Sequence, residues 1–300
     1  MITSNDIILY SKLKCINESS FNVVNVRPPD NLCQQCITLL TKPEEFNSLF
    51  IKAPDEVIAI IPKELEREAH KFKQTFILSN NPRLTFLKVV NHYFSKEKID
   101  YSISETAYIN STGKISPSVK IGNFSVITGN VDIGSSTILE NHICINGSVK
   151  IGENVSIGSG TIIGHKGFNF TWDEEGIPHE FPHFGKVLIG DNVRIGANCT
   201  IARGSLNDTI ICDNVKIDDQ VHIAHNVKIE SGSLIATCAE ISGSVCIGKN
   251  VWISPNASII DHVNIGTHAK IGIGAVVLKD VPTNSTVIGN PARIIPHKED

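Results

Sequence analysis

His225 stands two residues beyond Ile223, His165 two beyond Ile163 and Asp261 two beyond Ile259, while Ser242-Gly243-Ser244 follows directly on Ile241. An imidazole is the side chain best suited to accept a proton near neutral pH. A glycine leaves space and a reachable backbone N–H. A base beside an open pocket with a free amide is what acyl transfer requires: the base takes the proton of the nucleophile, and the amide holds the tetrahedral oxyanion. These groups act together only if the chain delivers them to one edge, so the elements that carry them decide the chemistry.

An aliphatic residue recurs every six positions from Ile103 to Ile163, resumes at Ile189, Ile195 and Ile201, slips by four residues, and continues from Ile211 to Val277. A period of six is neither the 3.6 of a helix nor the alternation of an ordinary strand. Each hexad makes a short strand and a corner, with Gly, Asn, Asp or Ser after many of the aliphatics, as in IGEN, IGSG and IGDN. Three strands per coil give a triangular prism, the hexapeptide parallel β-helix; a β-sandwich predicts spacing of two and irregular turns. If the first interruption replaces one corner, Ile163, Ile223 and Ile259 share a face, with two coils, about 10 Å, between successive members. His165, His225 and Asp261 then share one edge, and Gly243 lies on it one coil beyond His225.

Two insertions leave the ladder, near 164–188 and 202–210. Loops on a rigid scaffold are where binding groups concentrate. Residues 1–100 lack the period. VIAIIP (57–62) and TFILS (75–79) read as buried strands, with the helical pattern KELEREAHKF between them, and Asn81-Pro82 caps a helix PRLTFLKVVNHYF. The expected organisation is a small α/β domain over 1–100, joined near Asp100 to a prism over 101–280, and an irregular tail over 281–300.

Composition narrows the function classes. The chain of 300 residues is 41% hydrophobic and 19% charged, which excludes a disordered chain. Lys plus Arg total 27 against 31 Asp plus Glu, so no general nucleic-acid surface is expected. No run approaches the ~18 apolar residues of a membrane span, and MITSNDIILYSK carries no signal pattern, which points to the cytoplasm. Eight cysteines with a single CxxC, at Cys33 and Cys36, read as reduced thiols. Neither a metal site nor a permanently bound cofactor is expected.

The stretch GFNF…FPHFGKVLIGDNVRIGANCTIARGSLNDTIICDNVKIDDQVHIAHNVKI resembles the UDP-3-O-acylglucosamine N-acyltransferases of lipid A synthesis, and NNPRLTF is similar to their NPxLxF motif. The resemblance covers nearly all of residues 37–265. It implies left-handed coils and a homotrimer with active sites between subunits. It also implies roles: His225 as general base toward a sugar amine, Gly243 as oxyanion amide, Asp218 as an acidic residue near the base and His262 as a second site histidine. Phe168 and Asn169 fall in the loop motif that borders the acceptor pocket, and His165, His183 and Arg203 join them as substrate-binding candidates.

Two segments depart from that family. Its uracil-binding segment resembles SFLxNPKY, whereas this chain reads TLLTKPEEF, with Leu39, Lys42 and Glu45 in place of an aromatic, an amide and an aromatic. Residues 1–100 nevertheless stand as the candidate for sugar-nucleotide recognition. The ending IGIGAVVLKDVP…VIGNPARII is similar to acetyl-CoA-dependent hexapeptide enzymes, including nucleotide-amino-sugar N-acetyltransferases. That likeness implies that Gly274, Lys279, Asn290 and Arg293 meet the anionic cofactor. The first expectation is therefore an N-acyltransferase that uses acyl-CoA on a nucleotide-linked amino sugar for surface polysaccharide. The alternative is the UDP-3-O-(3-hydroxyacyl)glucosamine N-acyltransferase of lipid A synthesis, with acyl carrier protein as donor. More remote are a γ-type carbonic anhydrase, whose usual H-x4-H pair is absent, and a non-catalytic β-helix scaffold.

Overall fold

The computed structural model describes residues 2–94 and 102–295, in two compact units, 1–99 and 100–300. The join expected near Asp100 lies outside the described residues.

In the first unit, strands Cys15–Ile16, Thr75–Ser79, Val57–Pro62, Cys36–Leu39 and Asn25–Val26 form one sheet in that spatial order. The pairings are parallel except for the first, which is antiparallel. VIAIIP is apolar throughout because both of its faces are covered: Val57, Ala59 and Ile61 enter one core cluster, Ile58 and Ile60 the other. Helix Pro82–Tyr93 starts where expected, the Asn81 side chain accepting the Leu84 N–H at 3.0 Å. The pattern KELEREAHKF makes less helix than expected, a 3₁₀ turn at Lys63–Leu65 and a single α turn at Glu66–Ala69.

The second unit is a left-handed parallel β-helix. Its inward aliphatics stack in register, as in the series Ile163, Ile201, Ile223, Ile241 and Ile259. Each of these five is fully buried, and together the stacks make one continuous core. Burying a side chain of this size is worth about 1.5–3 kcal/mol, so the ladder itself drives folding. The corners are built from polar groups. Asp219 Oδ1 accepts the Ala197 N–H of the preceding coil at 2.7 Å, and a Cβ on Gly196 would lie 2.3 Å from the same oxygen. Glycine after the aliphatic therefore makes room for the carboxylate that ties adjacent coils. Three residues past the aliphatic, Asn198, Asn214 and Asn226 adopt positive φ of 54°, 63° and 62°, a conformation that asparagine tolerates well.

Both insertions leave the ladder intact, since Ile163 still pairs Ile201 and Ile189 pairs Ile211 across them. The first holds a two-stranded hairpin, Phe170–Trp172 with Pro178–Glu180. The carboxy-terminal tail is more regular than expected. Thr286–Ile288 continues a face by pairing Lys270–Ile271, and Arg293–Ile295 turns back antiparallel against it.

Candidate active site

A cleft of about 1010 Å³ opens beside the corner that follows the Ile223 strand, and His225, Gly243, Asp261 and His262 line it. The hexad register delivers them there. The Ser244 N–H donates to the His225 carbonyl at 2.9 Å, and the His262 N–H to the Gly243 carbonyl at 3.0 Å. A Cβ on Gly243 would stand 2.7 Å from His225 Cε1 and 2.9 Å from Nε2. From the other side, a Cβ on Gly167 of the first insertion would lie 2.9 Å from His225 Cβ and Cδ2. The imidazole thus sits in a slot between two glycines, and a side chain at either would push it out. No acceptor among the described residues takes the Gly243 N–H.

Asn226 orients the ring. His225 Nδ1 lies 2.8 Å from Asn226 Oδ1. The amide is fixed by its other partners: its Nδ2–H donates to the Asn207 carbonyl at 2.9 Å, and its Oδ1 accepts the Ser205 N–H at 3.2 Å. Oδ1 is therefore the acceptor for Nδ1–H, which leaves the Nε2 lone pair free to take a proton. Sequence reasoning missed Asn226 and Gly167. The available signal for Asn226 was its place beside the base in IAHN; Gly167 becomes visible only once the insertion folds back.

His183 and His165 form the rear of the site rather than its lining. His183, 7% exposed, meets His225 edge to face at 5.8 Å between ring centroids. Burial pushes its pKa below the usual histidine value, with the charges of His225 and Arg203 adding to the effect. Burial likewise lowers His165, followed by the influence of His222 and Arg203. The Arg203 N–H donates to the His165 carbonyl at 2.9 Å. A neutral His183 and His165 leave His225 free of a second fixed positive charge on neighbouring imidazoles. Phe168 and Asn169 do line the cleft; Asn169 Nδ2–H donates to Ser205 Oγ at 3.1 Å. Phe168 at 87%, Trp172 at 71% and Leu206 at 68% exposure give the cleft an apolar flank.

Asp218 is not brought to the base within one chain. It directly follows inward Ile217, placing it on the preceding edge, exposed and outside the cleft lining. Within one chain it is Asn226 that contacts the His225 ring. Lys279 lies two residues beyond Val277, on the same edge as His225 but outside the cleft. Gly274 sits at an open corner with φ 61°, and Asn290 and Arg293 belong to the terminal hairpin segment. None of these four lines the cleft.

Residues 208–243 match the family described as bacterial transferase hexapeptide (six repeats). Among curated relatives, a UDP-3-O-acylglucosamine N-acyltransferase of Caulobacter sp. (strain K31) is 41% identical over 143 residues, 48% of this chain. The chain spans 42% of the length of that protein. The protein of that name from Coxiella burnetii (strain RSA 493) is 34% identical over 230 residues, 70% of this chain and 67% of its own length. Among solved structures, the UDP-N-acetylglucosamine O-acyltransferase of Moraxella catarrhalis is 26% identical with a TM-score of 0.59, covering 65% of this chain and 74% of that one. The Francisella novicida UDP-N-acetylglucosamine acyltransferase is 32% identical with a TM-score of 0.57, covering 62% and 66%.

The curated relatives correct the first expectation, an acyl-CoA enzyme for a nucleotide-linked amino sugar of surface polysaccharide, in favour of the alternative. Both curated proteins are named for UDP-3-O-acylglucosamine. No helix among the described residues is long and apolar enough to cross a membrane. By its likeness to the Coxiella protein over two thirds of that protein's length, the chain belongs to the UDP-3-O-acylglucosamine N-acyltransferase family of left-handed β-helix hexapeptide enzymes.

Proposed function

We propose that this chain transfers an acyl group from a thioester to the amine of a UDP-3-O-acylglucosamine, forming the amide-linked chain of a lipid A precursor. The observation that carries this reading is the His225 ring, held against Gly243 with Nε2 free. The amine nitrogen attacks the thioester carbonyl carbon while His225 Nε2 accepts its proton. The Gly243 N–H donates to the oxyanion. As the carbon–sulfur bond breaks, the imidazolium returns the proton to the departing thiolate. The apolar flank of Phe168, Trp172 and Leu206 suits an acyl chain. The resemblance supports acyl carrier protein as donor and a homotrimer as the working assembly. It also supports the amino-terminal unit as the sugar-nucleotide domain, where a groove of about 350 Å³ is lined by Arg27, Leu39 and Phe86.

The test is turnover of UDP-3-O-(3-hydroxyacyl)glucosamine with acyl carrier protein thioesters and with acyl-CoA, followed by mass spectrometry of the N-acylated product. Wild-type protein is expected to form it, preferring the carrier-protein thioester. His225→Ala is expected to lose about 10²–10⁴ in kcat with its circular dichroism unchanged. Wild-type turnover in folded His225→Ala overturns the mechanism, and no product from either donor overturns the function.

A further inference from the structure

The CxxC pair of the amino-terminal unit takes no part in acyl transfer, whose cleft is lined by residues of the second unit. Cys33 and Cys36 flank a turn with Gln34 and Gln35 at its centre, and Gln35 holds φ at 60°. Such a turn brings its first and fourth Cα atoms within about 7 Å, and a disulfide bridges Cα atoms roughly 4.4–6.8 Å apart. The turn is held from both sides. The Gln35 N–H donates to the Glu56 carbonyl at 2.8 Å, and the Gln35 carbonyl accepts the Val24 N–H at 2.9 Å and the Asn25 N–H at 3.2 Å. The Glu56 N–H donates to Gln34 Oε1 at 3.1 Å.

The two sulfurs meet inside this frame. The side chain and the backbone of Cys33 both hydrogen-bond the Cys36 sulfur. Cys36 is fully buried in a cluster with Phe46, Phe50 and Phe76, whereas Cys33 packs against that cluster and stays partly exposed. Burial pushes the Cys36 thiol above its usual pKa, so it resists reagents in solution until its neighbour has reacted. A metal does not account for the pair: among the described residues no group of three or more His, Cys, Asp or Glu side chains could hold one. The turn opens the strand Cys36–Leu39, whose last residue lines the groove of about 350 Å³ with Arg27 and Phe86.

We propose that Cys33 and Cys36 form a reversible dithiol–disulfide site that exchanges with low-molecular-weight disulfides, Cys33 attacking first and Cys36 closing the bridge. The Cys33 thiolate attacks one sulfur of oxidised glutathione, a mixed disulfide forms, and one glutathione leaves as a thiolate that takes up a proton. The Cys36 thiolate then attacks the Cys33 sulfur, the new sulfur–sulfur bond forms within the chain, and the second glutathione leaves and is protonated. Two protein thiols are oxidised and one glutathione disulfide is reduced to two thiols. The turn already holds the sulfurs together, so the second step needs no rearrangement of the sheet. The product carries no polar hydrogen and suits the apolar cluster that already encloses Cys36. Oxidation ties the turn shut at the entry to a strand that borders the groove, and a thiol reductant reopens it.

The test is incubation of the folded full chain with oxidised glutathione, alkylation of the remaining thiols, and mass spectrometry of the peptide that holds both cysteines. Wild-type protein is expected to give that peptide unalkylated and lighter by two hydrogens, and dithiothreitol is expected to return both thiols to alkylation. Cys36→Ala, which removes the closing thiol, is expected to stop at one glutathione on Cys33. Cys33→Ala is expected to leave the buried Cys36 a free thiol. Cys238 and Cys246, both exposed, serve as internal comparators and are expected to carry at most a glutathione. Recovery of Cys33 and Cys36 fully alkylated while Cys238 and Cys246 carry glutathione overturns the proposal. So does a glutathione that stays on Cys33 of the wild-type protein without giving way to the internal bridge.

Discussion

The geometry around His225 assigns separate tasks to its neighbours: Gly243 and Gly167 provide the slot, and Asn226 fixes the tautomer. Replacing Asn226 by Ala leaves the Nδ1 proton without its acceptor and the Ser205 N–H without its partner. The expected result is a fall of about 10- to 100-fold in kcat, the scale of one lost hydrogen bond to a group that becomes charged. Asn226→Asp keeps the acceptor and adds a negative charge that favours the imidazolium. The acid limb of the kcat/KM profile is therefore expected at higher pH than in the wild type, and an unmoved limb excludes Asn226 as the orienting group. His225 and Gly243 were legible in the sequence because a strict period of six converts residue number into position on the prism. Gly167 was not, since its approach to the ring depends on how an aperiodic insertion folds back. Asp218, which the family resemblance offered as the acidic residue near the base, directly follows inward Ile217 and so stands on another edge within one chain.

The ladder of buried aliphatics was the most readable element, and it makes a sharp stability prediction. Ile223 is fully buried among the stacked isoleucines, whereas Leu234 points outward with 37% exposure. Ile223→Ala is expected to cost about 2–5 kcal/mol in urea unfolding, with the loss concentrated in neighbouring coils, as in other stacked repeats. Leu234→Ala is expected to cost well under half as much. Equal losses at the two sites contradict the inward and outward assignment. In the amino-terminal unit, unbroken apolar runs such as VIAIIP identified central strands, and Asn81-Pro82 marked the helix start. The terminal hairpin escaped notice because Thr286–Ile288 and Arg293–Ile295 are too short to show a period, and the turn between them interrupts the hexad count.

At the scale of the molecule, the enclosed histidines couple folding to pH. His165, His183 and His222 all have folded-state pKa values below the ordinary 6.5, with burial the first cause in each case. Between those lowered values and 6.5 the unfolded chain binds more protons than the folded one. The stability associated with these neutral rings is thus complete above about pH 6.5 and is lost as pH falls toward the folded values. Urea midpoints are expected to drop between pH 7.5 and 5.5, and His183→Asn should flatten that drop; an unchanged slope argues against an uncharged His183.

The two insertions bring a different consequence. Because Ile163 pairs Ile201 and Ile189 pairs Ile211 across the insertions, the outer hairpin of the first one, Phe170–Trp172 with Pro178–Glu180, behaves as an interchangeable module on an unchanging frame. Transplanting a longer or shorter hairpin there can reshape the mouth of the pocket without renegotiating the fold. New substrate ranges can therefore arise by cassette exchange, whereas an insertion or deletion within a hexad shifts the register positions beyond it.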